Sequence, residues 1–172
     1  FFQSVKQDTL KTLHFAPEEC LSEFIKNISK EYIKADLFEE NVDIKLNLEK
    51  INLKDNSFNL IVANHVLEHV DDYKSSNELS RVLKKNGLLL LSVPIIPNWS
   101  ETFEIKRELN SKEQKIYFGT ETHLRYYGND FSKRITKYNN LKLIKEFIAG
   151  GNDSVKYGLN RGETLFVFRK ES

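Results

Sequence analysis

Methionine is absent from this 172-residue chain, cysteine occurs once, and the charges nearly cancel, with 26 Lys and Arg against 25 Asp and Glu. Each shortage excludes something. Cys20 alone cannot close an internal disulfide, so a reducing compartment, the cytoplasm, is expected. No cysteine pair exists to hold zinc, and His, Asp and Glu show no convincing metal-ligand spacing, so no metal is expected. A balanced charge, with Lys and Arg scattered, argues against nucleic acid or an anionic membrane surface as partner. The longest nearly apolar run, Gly87 to Pro94, is far too short to span a bilayer. The chain begins Phe1-Phe2, so loss of the initiator and of some upstream residues is expected. Its length suits one core, and a single domain over residues 1–172 is expected.

What is present is an alternation of strand and helix. Lys11 to Phe15 reads as a strand. Pro17, Glu18 and Glu19 favour a helix start, and Leu21, Phe24, Ile25 and Ile28 then recur on one helical face. Glu31 to Phe38 reads as a second strand with Asp36 at its end, and Asn41 to Leu53 as loops with a short strand. After the turn cluster Asp55-Asn56-Ser57, the apolar run Leu60 to Ala63 fits a strand buried on both faces. It stops abruptly in Asn64 and His65, where an open parallel sheet keeps its ligands. Asp72 to Lys85 has a helical stripe of Leu79, Val82 and Leu83, with Asn86-Gly87 as its left-handed stop. Leu88 to Val93, Leu141 to Ile148 and Thr164 to Phe168 read as further strands, with Gly150 to Gly162 as the loop between the last two. This is the pattern of a doubly wound α/β sheet, mostly parallel, with an antiparallel pair at one edge. Residues 95–134 break the pattern: they are polar and aromatic, without a clean period, and we expect substrate recognition there.

Several segments, in order, resemble the class I S-adenosylmethionine-dependent methyltransferases. Leu67-Glu68-His69 follows the central strand as that family's "LEH" does. Leu79-Ser-Arg-Val-Leu-Lys-Lys-Asn-Gly-Leu88 is similar to its "RVLKPGG" turn. Phe118-Gly-Thr-Glu-Thr-His-Leu-Arg-Tyr-Tyr-Gly-Asn-Asp130 resembles a divergent bacterial subgroup that carries "FAPE", here Phe15 to Glu18, in place of the glycine-rich cofactor loop. The resemblance implies a Rossmann-like fold and S-adenosylmethionine as cofactor. It places His14, Phe15, Ala16 and Glu18 at the cofactor loop, Asp36 and Leu37 at the ribose, Asn47 and Leu48 at the adenine, and Asn64 and His65 near the methionine portion. It also implies a small-molecule acceptor, plausibly a sugar or sugar phosphate of bacterial surface polysaccharide. Three positions depart from the family: no glycine in residues 14–19, Asn47 for an acid, and Asn59 for the aspartate before the fourth strand. A decayed, non-catalytic domain with a binding role is the alternative.

Histidine is the natural general base near neutral pH. His123 is ranked first as base or substrate ligand, with His14, His65 and His69 as competitors. Arg125 either grips a phosphate or carboxylate or forms an ion pair with Glu121 or Asp130. Glu68 orients His65 or His69, or simply begins a helix. Trp99, Tyr126 and Tyr127 wall a pocket or anchor the insertion.

Overall fold

A computed structural model describes residues 9–157 and 162–171. In chain order the elements are β1 (Lys11–Phe15), α1 (Glu19–Ile28), β2 (Glu31–Asp36), β3 (Ile44–Lys45) and β4 (Phe58–Asn64). A 3-10 turn (Leu67–His69) leads to α2 (Asp72–Val82) and β5 (Leu83–Ser92). Then come β6 (Phe103–Glu104), α3 (Ser111–Phe118), β7 (Arg125–Tyr126), α4 (Phe131–Thr136), β8 (Leu141–Ile148), α5 (Gly151–Tyr157) and β9 (Thr164–Lys170). The seven-stranded sheet has the order β3-β2-β1-β4-β5-β9-β8. Strands β3 to β5 pair in parallel, and β9 runs antiparallel to both β5 and β8. The expected antiparallel pair thus forms one edge.

Alternation along the central strands builds two cores. Leu13, Phe15, Ile61, Ala63, Leu89 and Leu91 meet Leu79 and Val82 of α2 and Phe131 and Ile135 of α4 on one face. Leu60, Val62 and Leu90 meet Ile25 of α1 on the other. β4 is therefore covered on both sides, which is why its sequence is apolar without alternation. Each of these fully buried aliphatic side chains contributes about 1.5–3 kcal/mol of transfer free energy.

Three sequence expectations need correction. α2 stops at Val82, because Leu83 already pairs with Phe58 of β4. Asn86 is left-handed as expected, at φ 62°, but it lies within β5, where the register jumps from Phe58 opposite Leu83 to Leu60 opposite Leu88. Gly87 is required there, since a Cβ would sit 2.8 Å from the Lys84 carbonyl oxygen. The Gly150–Gly162 segment contains α5 rather than loop alone, with residues 158–161 outside the described set.

The insertion is also ordered. It holds α3, the antiparallel pair β6–β7 that brackets it, and the start of α4. α3 begins with a reciprocal capping box between Asn110 and Glu113 and ends on left-handed Gly119. Buried Asp72 of α2 receives hydrogen bonds from Tyr127 and Arg134, and Glu104 bonds Arg125 and Arg134. A Cβ at Gly128 would sit 2.6 Å from the Glu101 carbonyl, so only glycine permits this approach. The insertion is thereby pinned across the carboxyl end of the sheet.

Candidate functional site

The chain leaves β1 toward β2 and returns to β4 on β1's other side, so the sheet switches direction between β1 and β4. Open α/β sheets bind ligands in the crevice at such a point. Here the two strand tips carry Ala16 and His65, both with positive φ, 45° and 52°. A cavity of about 500 Å³ lies in front of them, a size usual for small-molecule sites. Its wall contains Phe15 and Ala16 after β1, Asp36 and Leu37 after β2, Asn47 and Leu48 after β3, and His65, Val66 and His69 after β4. Gln114, Thr122 and Leu124 of the insertion close the other side.

Seven of the expected cofactor contacts, Phe15, Ala16, Asp36, Leu37, Asn47, Leu48 and His65, thus meet on one cavity. Asp36 is both a turn residue and a wall residue. Its Oδ1 accepts from the amides of Phe38 (2.7 Å) and Glu39 (2.9 Å), and no hydrogen bond to Oδ2 occurs among the described residues. Asn47 Oδ1 accepts from the Glu49 amide in a similar local turn.

Three expected contacts do not line this cavity. His14 is fully buried, bonded to the Tyr32 hydroxyl at 2.8 Å and to Glu18 at 3.0 Å. Asn64 donates to the other Glu18 oxygen at 3.0 Å and faces a smaller cavity under α1. The pleat explains this: His14 and Asn64 alternate with Phe15 and His65 and so point to the opposite side. Together, the three residues form a hydrogen-bonded unit behind the tips of β1 and β4. Burial alone would raise the Glu18 carboxyl, but bonds from His14, its own backbone and Asn64 outweigh it and hold the pKa below the ordinary value.

His65 is pushed up to about 9, first by its interaction with Glu68 and also by Glu163, against the opposing effect of burial. Its Nδ1 lies 3.5 Å from Glu68 and its Nε2 3.1 Å from Glu163. It is therefore a cation at neutral pH and no general base. His123 behaves oppositely: burial, then the neighbouring His69, push its pKa down, so its ring is neutral.

Arg125 does not line the cavity at the strand tips; it borders a separate one beside Glu104 and Gln114, and most of its guanidinium is taken up by the protein. Only 7 % exposed, it commits Nη1 to the carbonyl oxygens of Leu67 and Val70 and Nε to Glu104. Neither Glu121 nor Asp130 is its partner: Glu121 pairs with Lys115, and Asp130 accepts from Thr102. Arg125 is a tie between insertion and the 3-10 turn. Trp99 and Tyr126 likewise pack in an aromatic cluster with Phe103 and Phe118, and Tyr127 is buried with its hydroxyl on Leu67 and Asp72. They anchor the insertion. Asn59 lies at the start of β4, the end of the strand away from the cavity, where it accepts from the Lys11 amide and Lys84. Its missing charge does not touch the site.

A grouping not legible in the sequence is Glu68, His69 and His123. The two histidine rings meet edge to face with centroids 4.7 Å apart, and one ligand-type atom from each of the three residues lies within 4.8 Å of the others. Separation by more than fifty positions along the chain hid this arrangement.

Residues 12–91 match the methyltransferase domain family. A stretch of 47 residues is 43% identical to an uncharacterised protein of Methanocaldococcus jannaschii, covering 27% of this chain and about a fifth (21%) of that protein's length. Among solved structures, the chain is similar to an S-adenosylmethionine-dependent methyltransferase of Mesorhizobium loti, with TM-score 0.65, 12% identity and coverage of 94% of this chain and 91% of that one. It is also similar to the [4+2]-cyclase SpnF, with TM-score 0.66, 11% identity and coverage of 95% and 76%. The cyclase is a reminder that this fold alone does not fix a reaction. The solved structures show that the chain has the class I methyltransferase fold, and the match of residues 12–91 to the methyltransferase domain family supports S-adenosylmethionine as the cofactor.

Proposed function

We propose that this chain is an S-adenosylmethionine-dependent methyltransferase of the divergent subgroup with Phe15-Ala16-Pro17-Glu18 at the cofactor loop, acting in the cytoplasm on a small molecule rather than on nucleic acid. A sugar or sugar phosphate destined for surface polysaccharide is the acceptor class, an assignment resting on the subgroup resemblance. The observation that carries the reading is the left-handed Ala16 turn facing Asp36 across one cavity at the switch point. Alanine there adopts the backbone that the family's glycine provides, so loss of glycine has not meant loss of the turn. With Asn59 far from the cavity, the case for a decayed domain is weakened.

The cavity fits the cofactor chemically. Asp36 would hold the two ribose hydroxyls through its unengaged oxygen. Asn47 and Leu48 would border the adenine, and cationic His65 is suited to the carboxylate of the amino-acid end. When bound, S-adenosylmethionine supplies a methyl group already activated on a sulfonium. The protein's own task is then to align the acceptor and exclude water, which supplies much of the rate. The pinned insertion provides the second wall for that purpose. His123, held neutral beside the insertion's wall residues Thr122 and Leu124, is assigned to the acceptor's proton.

Transfer of tritiated methyl groups to a panel of phosphorylated and nucleotide-linked sugars tests this, with RNA and protein fractions alongside. Label on one sugar class is expected. Label on RNA or protein contradicts the small-molecule assignment, and label nowhere, with S-adenosylhomocysteine still bound, favours a non-catalytic role.

A further inference from the structure

We infer that Glu68, His69 and His123 bind a first-row divalent transition-metal ion of the Zn²⁺ type at the insertion side of the cavity. The ligand-type atoms are already gathered within 4.8 Å, so small side-chain rotations bring them to a shared ion at about 2.0–2.2 Å. Two of these residues each carry a buried atom without a hydrogen-bond partner among the described residues. Glu68 is 2 % exposed, yet its Oε2 is buried without a hydrogen bond, and His123 Nδ1 is likewise buried and unpartnered. An orphaned buried polar group costs about 1–3 kcal/mol, and an ion within the three-residue group would satisfy both atoms at once.

The surroundings are those of a ligand set. His69 Nδ1 lies 3.3 Å from the Thr122 carbonyl oxygen, which can only accept, so Nδ1 carries the proton and the Nε2 lone pair is available. The Leu124 amide donates to the Glu68 carbonyl at 2.8 Å and locks the segment bearing His123 against the one bearing the other two. The second Glu68 oxygen is engaged by His65 at 3.5 Å. Two imidazoles and one carboxylate suit zinc and its neighbours, whereas magnesium and calcium prefer oxygen throughout. Three protein ligands leave one position open, as catalytic rather than structural zinc sites do.

Ion binding stands on these contacts alone. Its use rests on the methyltransferase reading: with His69 on the cavity wall, the open position would hold the acceptor's oxygen and lower its pKa, the proton leaving to solvent; His123 then serves as a ligand, and its proton-accepting role belongs to the ion-free protein.

Titration of the chelator-stripped, untagged chain with Co²⁺, followed by Zn²⁺ displacement, tests the inference without any turnover. About one equivalent should bind with ligand-field absorption bands, and His69→Asn and His123→Asn should each weaken binding at least tenfold. His69 is exposed, so its variant folds even where one at His123 does not. Absence of a stoichiometric Co²⁺ site, or equal binding by both variants and the wild type, overturns it. S-adenosylhomocysteine binding by the same stripped protein separates the two readings: retained without a Co²⁺ site, it removes only the ion, whereas its loss beside an intact Co²⁺ site removes only the methyltransferase reading.

Discussion

Ala16 and His65, at the tips of neighbouring parallel strands, both hold left-handed backbone, at φ 45° and 52°. Each such non-glycine residue costs about 1–2 kcal/mol. The surrounding sheet enforces the strain: the Ala16 amide donates to Ala35 at 3.0 Å, and the His65 amide to Ser92 at 2.8 Å. Extending the strand ladder by one residue on each side turns the chain away and opens the crevice between them.

Ala16→Gly should therefore relieve strain. The gain of about 1–2 kcal/mol is offset by about 0.4–1 kcal/mol of added unfolded-state freedom, leaving stability unchanged or modestly raised. Ala16→Val should lose more than 1 kcal/mol, since a β-branched side chain tolerates this region worst. Urea unfolding of the three proteins measures both; a marked loss in the glycine variant counts against a strained turn.

Asp36→Asn keeps the turn, because an amide oxygen still accepts from Phe38 and Glu39, but removes the charge. A charge-assisted hydrogen bond is worth about 1.5–3 kcal/mol, so cofactor-product affinity should fall about 10- to 100-fold with little change in melting temperature. Unchanged affinity removes the ribose contact.

Arg125→Ala should destabilise the fold by about 3 kcal/mol, the scale for breaking a buried ion pair, because Glu104 and the carbonyls of Leu67 and Val70 lose their donor. An unaltered melting temperature, with acceptor KM alone raised, would restore the substrate-gripping role.

Glu18 gives a signed pH dependence. Its folded pKa is below the ordinary value near 4.5, so the ionised form is favoured in the folded state. That stability is present above the unfolded pKa and is lost as pH falls through the folded one. Glu18→Gln should thus be less stable than wild type at neutral pH, with the gap narrowing in acid. A gap independent of pH from 7 to 3 would show that the His14–Glu18–Asn64 unit does not depend on the charge.

Much of the architecture was legible because short apolar runs bounded by turn residues, such as Leu60–Ala63, fit buried strands, and because Asp36 and His65 fall at strand ends that a parallel sheet aims at one crevice. His14 and Asn64 were misplaced by a single step of the pleat, since a residue's membership of a strand tip does not say which face it takes. α3 escaped notice because eight residues with a weak apolar stripe look like loop, although its Asn110–Glu113 capping box was present to read. Arg125 and the Glu68–His69–His123 group were illegible for a different reason. Their partners lie far along the chain, and only the docking of the insertion brings them together.

Calorimetric titration of the full chain with S-adenosylhomocysteine tests the central claim most directly, that the cavity between Ala16, Asp36 and His65 holds the cofactor. One saturable site is expected, weakened in Asp36→Asn. No heat of binding at high ligand concentration, or equal binding by that variant, would contradict it.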